Sequence, residues 1–163
     1  NKNYRNRMIQ KDFLTLNKDQ ILEVQKNREP YLLIDYATKV VPGSLSNGYK
    51  NLKNDEWFFK VHWKNDPNMP GMLQIEALVQ MASLSILTLP NNKGKIMYLT
   101  SADKLNFKKK VTPNTKFEIL TEVINWKRGI GKFRGSGYVD GEICCNAEFT
   151  LILPDEIKMY KIK

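Results

Sequence analysis

The sequence predicts an α+β fold in which a strongly curved antiparallel sheet wraps one long central helix. Three observations carry this. Met69 to Leu89 holds a single charged residue, Glu76, and a helix apolar on nearly every side has to be enclosed. The chain after it reads as a run of strands joined by turn signals. The chain before it opens a pair of strands at Tyr31.

The helix is bounded by Pro70-Gly71, with proline suited to a first turn, and by Pro90 at its end. Gln74, Glu76, Gln80, Ser83, Ser85 and Thr88 argue against a membrane span, where a central acid is costly. Upstream, Tyr31, Leu32, Leu33, Ile34 and Tyr36 form a strand-like run. Lys39-Val40-Val41 and the turn signal Pro42-Gly43 follow, and Leu45 to Leu52 returns as a second strand. A short helix is expected from Lys18–Gln20 through Ile21, Leu22 and Val24. Residues 1–20 are polar and charged and read as an N-terminal extension of one domain spanning 21–163.

Downstream, Ile96 to Leu99 starts a strand and Phe107 to Val111 continues the β pattern. Phe117, Ile119, Thr121 and Val123 alternate with Lys116, Glu118 and Glu122, which marks a half-buried antiparallel strand. After a turn over Lys127 to Gly131, Phe133, Gly135, Gly137 and Val139 share one face. Glycine weakens a strand unless something must approach closely, and a buried helix is such a neighbour. Asp140-Gly141 is a two-residue hairpin signal, and Glu142 to Leu153 returns. One helix covered on every side by such a meander is the hot-dog architecture.

A length of 163 residues fits one domain and buries a core without disulfides or metals. Lys and Arg number 26 against 17 Asp and Glu, a formal net charge of +9 that favours an acidic partner. Nucleic acid, an anionic membrane surface and an acidic protein all qualify, but no nucleic-acid motif accompanies the charge. Cys144 and Cys145 are adjacent, so their side chains leave a strand on opposite faces. They read as small hydrophobes in a reducing, cytoplasmic setting. One histidine and two adjacent cysteines lack zinc-ligand spacing, so no metal is expected, nor any cofactor. Asn1 to Arg7 contain no apolar run, so a secretory leader is not expected, and a start without Met suits a trimmed sequence.

Three features can carry chemistry. His62 is the only imidazole, and imidazole is the side chain that titrates near neutrality. A structural histidine is the alternative. Glu76 sits on an enclosed helix, where burial raises a carboxyl pKa and leaves it protonated as a general acid. An ion pair with a strand Lys or Arg is the alternative there. Gly71 at the helix start offers free backbone N–H groups beside partial positive charge. Such donors stabilise the oxyanion of an enolate, although ordinary helix-start chemistry would look the same.

The segment from Glu56 to Gln80, WFFKVHWKNDPNMPGMLQIEALVQ after its first residue, resembles the active-site stretch of the 3-hydroxyacyl-acyl-carrier-protein dehydratases of fatty acid synthesis. Their F-x-G-H-F-P-G-x-P-x-M-P-G-V-L-x-x-E-A-x-x-Q pattern agrees in spacing from Phe59 to Gln80. Glu29 to Asp35 and Phe107 to Pro113 resemble two further family segments, and the likeness covers roughly residues 20–154. Val61 departs from the family glycine, Lys64-Asn65 from its Pro-Gly, and Asn114-Thr115 from a frequent Gly-Asp.

The resemblance implies a hot-dog dehydratase with His62 as base, Glu76 as acid and the Gly71 N–H on the thioester carbonyl. Glu in place of Asp at position 76 implies the branch that dehydrates without isomerising. It implies Gln80 as the orienter of Glu76, Tyr98 as a residue of the acyl tunnel, and Lys108, Lys109 and Lys110 as the docking surface for acidic acyl carrier protein. It also implies a homodimer, or a trimer of such dimers, with His62 and Glu76 of one site drawn from different protomers. A hot-dog thioesterase and a non-catalytic protein that binds acyl carrier protein are the competing readings.

Overall fold

The apolar stretch at the centre of the chain is a helix, and the strands close around it. The structure, a computed structural model, describes residues 12–161; the charged start, with Arg5 and Arg7, lies outside them. The elements run β1 (Leu14–Leu16), α1 (Lys18–Val24), β2 (Tyr36–Val41), β3 (Leu45–Leu52), α2 (Trp57–Val61), α3 (Gly71–Leu87), β4 (Tyr98–Phe107), β5 (Thr115–Lys127), β6 (Ile130–Val139), β7 (Glu142–Ile152) and α4 (Pro154–Lys161). The described strands form one seven-stranded sheet in the order β1-β2-β3-β5-β6-β7-β4, antiparallel throughout.

Helix α3 packs on β5, β3, β6, β7 and β2. From Ala77 to Leu87 every residue is buried. The hydroxyls in that stretch are bonded within the helix: Ser83 donates to the Val79 carbonyl (2.8 Å) and Ser85 to that of Ala82 (2.6 Å). That pairing lets polar residues sit in an enclosed helix without a desolvation penalty. No described helix is long and apolar enough to cross a membrane.

Strand β5 buries Phe117, Ile119 and Thr121 and exposes the residues between them, as the alternation predicts. Arg128 and Gly129, and likewise Asp140 and Gly141, have positive φ (53°, 83°, 50° and 76°). Paired positive φ values make the tight hairpins that suit twisted strands. Gly135 admits the helix: a Cβ there would stand 3.2 Å from Leu78 Cβ. Gly137 yields its space to a neighbouring strand, because the Phe117 ring and Cys145 Sγ occupy it. Replacing Gly137 with Ala is expected to cost about 1–3 kcal/mol by overpacking, read as a lower midpoint in thermal unfolding.

Two expectations need correction. Tyr31 to Ile34 is not a strand, although Leu32, Leu33 and Ile34 are fully buried. Apolar periodicity reports burial, and here the burial belongs to a loop. The Gln80 side chain satisfies its backbone in place of a neighbouring strand: Leu33 N–H donates to Gln80 Oε1 (2.8 Å) and Gln80 Nε2 donates to the Tyr31 carbonyl (2.9 Å). Second, Phe107 to Val111 does not continue as a strand, because β4 ends at Phe107 and the chain there leaves the ladder; Leu14–Leu16 pairs with β2, and Leu16 joins the core.

Edge strand β4 is one strand from Tyr98, irregular between Asp103 and Asn106, where Lys104 has φ 51°. It ends at Phe107, and Lys108 to Asn114 leave the ladder. Its apolar residues Tyr98, Leu99 and Phe107 are 55%, 41% and 49% exposed. An exposed apolar edge is a template for pairing with another chain.

Candidate active site

His62 follows the short helix α2, which Phe58 and Phe59 anchor in the core. Its Nδ1 lies 3.1 Å from the Asn68 carbonyl. A carbonyl only accepts, so Nδ1 is the donor in this contact, and in the neutral ring that leaves the lone pair on Nε2. Trp63 stacks on the ring with centroids 4.1 Å apart and planes at 19°. The loop that departs from the family pattern therefore still holds the imidazole from two sides. Val61 is 71% exposed, so its extra bulk points away from the packed interior.

Gly71 is the first residue of α3, and the first bonds back to the Pro70 carbonyl come from Leu73 and Gln74 (3.0 Å each). The N–H groups ahead of them are the orphan donors of a helix start. Position 71 has no room for a Cβ, because one there would meet the Phe107 ring at 2.8 Å. Substitution would push Phe107 out of the place it takes against the helix.

His62, Gly71, Gln74, Phe107 and the lysines Lys108, Lys109 and Lys110 line one open cleft of about 390 Å³. Lys110 pairs with Asp66 (2.6 Å) and Lys109 with Glu142 (2.9 Å). His62, the start of helix α3 and the three lysines thus line one cleft.

Glu76 is elsewhere. It stands five positions after Gly71, which places it about 140° further round the helix, and it is not among the residues lining that cleft. Gln80 Nε2 donates to Glu76 Oε1 (3.1 Å), the i, i+4 contact the sequence suggests. Among the described residues no cation lies within ion-pair distance of Glu76. Burial raises the carboxyl pKa above its ordinary value, and the Gln80 hydrogen bond opposes that rise only in part. Tyr31 is its neighbour: burial, and then the Glu76 charge, raise the phenol pKa.

Tyr98 is apart from both. It lines a basic recess with Lys26, Lys93, Lys95 and Lys158. A smaller recess lies next to it, between Gln80, Ser83 and Leu87 of α3 and Ile96-Met97. One chain therefore unites His62, Gly71 and the lysines, and leaves Glu76 with Gln80, and Tyr98, outside that cleft. Asn68, Trp63, Gln74 and Phe107 were not singled out as site residues from the sequence. Their roles rest on a carbonyl, a stacked ring, a buried amide and a strand crossing, none of which has a sequence signal.

A FabA-like domain matches residues 26–148. The chain belongs to the FabA-like family. The 3-hydroxyacyl-[acyl-carrier-protein] dehydratase FabZ of Oceanobacillus iheyensis is 38% identical over 135 residues, 83% of this chain and 96% of that protein. The FabZ of Bacillus subtilis is 37% identical over 138 residues, 85% of this chain and 98% of its own. Among solved structures, the dehydratase heterocomplex ApeI:P from Xenorhabdus doucetiae superposes with a TM-score of 0.71 at 14% identity, covering 88% of this chain and 97% of that one. A hypothetical thioesterase with coenzyme A from Streptococcus pneumoniae TIGR4 gives 0.56 at 15% identity, over 72% and 83%. These two likenesses show the hot-dog fold of the FabA-like chain.

Proposed function

We propose that this protein dehydrates 3-hydroxyacyl-acyl carrier protein to the trans-2-enoyl thioester in fatty acid synthesis. Two observations carry the reading: an imidazole beside the N-terminus of helix α3, and on another face of that helix a carboxyl whose pKa burial raises. The thioester carbonyl accepts from the Gly71 N–H, which acidifies C2. His62 Nε2 takes the C2 proton, and negative charge moves to the carbonyl oxygen. As that charge returns, the C2–C3 double bond forms and the C3–O bond breaks. Glu76 gives its proton, directly or through water, to the departing hydroxyl, which leaves as water. The imidazolium then returns a proton to the carboxylate.

Glu76 lies outside the His62 cleft, so we assign the acid of each site to a second copy of the chain. The exposed apolar edge of β4 is the surface on which that copy docks, and it carries Phe107 against Gly71. The acyl chain runs along α3 past Gln80 toward Leu87, Met97 and Tyr98. With no metal or cofactor in the scheme, the side chains supply all of the proton transfers. The buried thiols Cys144 and Cys145 are unpaired and suit a reducing compartment, and we assign the protein to the cytoplasm.

Incubation with crotonyl and 3-hydroxybutyryl thioesters tests the reaction. Reversible hydration is expected; release of free thiol would make the protein a thioesterase, and neither reaction would make it a binding protein. The Lys108–Lys110 rim suits the acidic carrier. Replacing the three lysines with Ser is expected to raise KM for carrier-linked substrate, more at low than at high salt. KM for the coenzyme A thioester should change little, and equal rises for both would count against docking there.

A further inference from the structure

Gln74 is 4% exposed, and its amide is only half used. Nε2 donates to the Met69 carbonyl (3.0 Å), while Oε1 is buried with no hydrogen-bond partner. Turning the amide over would set oxygen against oxygen at Met69 and orphan the nitrogen instead, so the observed orientation is the better of two imperfect ones. An apolar side chain of similar volume would avoid the unpaired oxygen altogether. The unpaired oxygen adds nothing to stability, and the bonded nitrogen identifies what the amide does.

Met69 sits between the base and the helix. The Asn68–Met69 peptide gives its carbonyl to His62 Nδ1 (3.1 Å) and its N–H to the Val111 carbonyl (2.8 Å). The next peptide, Met69–Pro70, has no N–H because its nitrogen belongs to proline. It can be held only through its carbonyl, and Gln74 is the group that holds it. With both peptides clamped, the Asn68 carbonyl cannot swing away from the imidazole.

We infer that Gln74 is a positioning residue: through the Met69 carbonyl it ties the Asn68 carbonyl, and so the tautomer and direction of His62, to helix α3. The inference rests on the reading of His62 as the base. It assigns Gln74 no contact with substrate.

The chain has one histidine, so ring nitrogen-15 signals of labelled protein report His62 without overlap. The wild type is expected to show the Nδ1–H tautomer. Gln74→Leu is expected to give a mixture of tautomers and lower kcat at least about tenfold. KM should stay within about twofold, and the unfolding temperature should fall only modestly, because the variant removes the unpaired oxygen but also leaves the Met69 carbonyl without its donor. Gln74→Met serves as a second apolar variant should the first not fold. Wild-type kcat in either variant would overturn the inference, as would an unchanged tautomer or a kcat loss that only tracks lost stability. A wild-type ring protonated at Nε2 would overturn it too. If the wild type dehydrates nothing, the proposed function fails, yet the tautomer comparison still decides the role of Gln74.

Discussion

Replacing His62 with Ala, or Glu76 with Gln, is expected to lower turnover of a 3-hydroxyacyl thioester by about 10²–10⁴-fold, the usual worth of a positioned acid or base. The two losses should differ in kind. Without His62 nothing at the helix start removes the C2 proton, although the Gly71 donors remain. In Glu76→Gln the amide still accepts from Gln80 but has no acidic proton for the leaving hydroxyl. The same variant has a second signature in stability. The Glu76 pKa lies above its ordinary value when folded, so the native state binds more protons than the unfolded one. Stability therefore falls as pH rises from the ordinary carboxylate range through the raised value. Glu76→Gln removes that dependence and is expected to unfold at a higher temperature than wild type at neutral pH, while both behave alike in acid. Near wild-type turnover in either variant would sink the catalytic assignment.

Mixing the two inactive variants is expected to restore activity. If His62 of one protomer works with Glu76 of another, a dimer of His62→Ala with Glu76→Gln holds one site with both groups intact and one with neither. Equal amounts, unfolded and refolded together, should recover about a quarter of wild-type activity by random pairing in a two-fold dimer. A site contained in one chain would recover none. Charge on the β4 edge, for example Leu99→Lys, should abolish the recovery by keeping the protomers apart, with loss of dimer seen by sedimentation. An active monomer of that variant would end the shared-site reading.

Local sequence carried much of this molecule. The run from Met69 to Leu89, charged only at Glu76, announced helix α3 because an amphipathic stripe needs only one covered side and this helix needs all of them. Asp140-Gly141 announced its hairpin, and the alternation along β5 its buried face, since both are set by neighbours in the chain. The family resemblance at His62, Met69-Pro70-Gly71 and Glu76 implied base, donor and acid together. Apolar content misled at Leu32 to Ile34, where periodicity cannot tell a buried strand from a buried loop. A glutamine 47 residues away from Leu33 supplies the hydrogen bonds that a strand neighbour would have given.

His62, Gly71 and Glu76 show where the division falls. Residue type and spacing name the groups and their chemistry, because helix starts, imidazoles and enclosed carboxyls have intrinsic properties. Which groups share a cleft depends on the turn of α3, the crossing of Phe107 over Gly71 and the hold of Asn68 on the imidazole. Those contacts join residues distant in sequence or involve backbone atoms that every residue has, so no residue pattern encodes them. Folding puts His62 beside the helix start and Glu76 on another face, and that separation is what the proposed second copy of the chain would bridge.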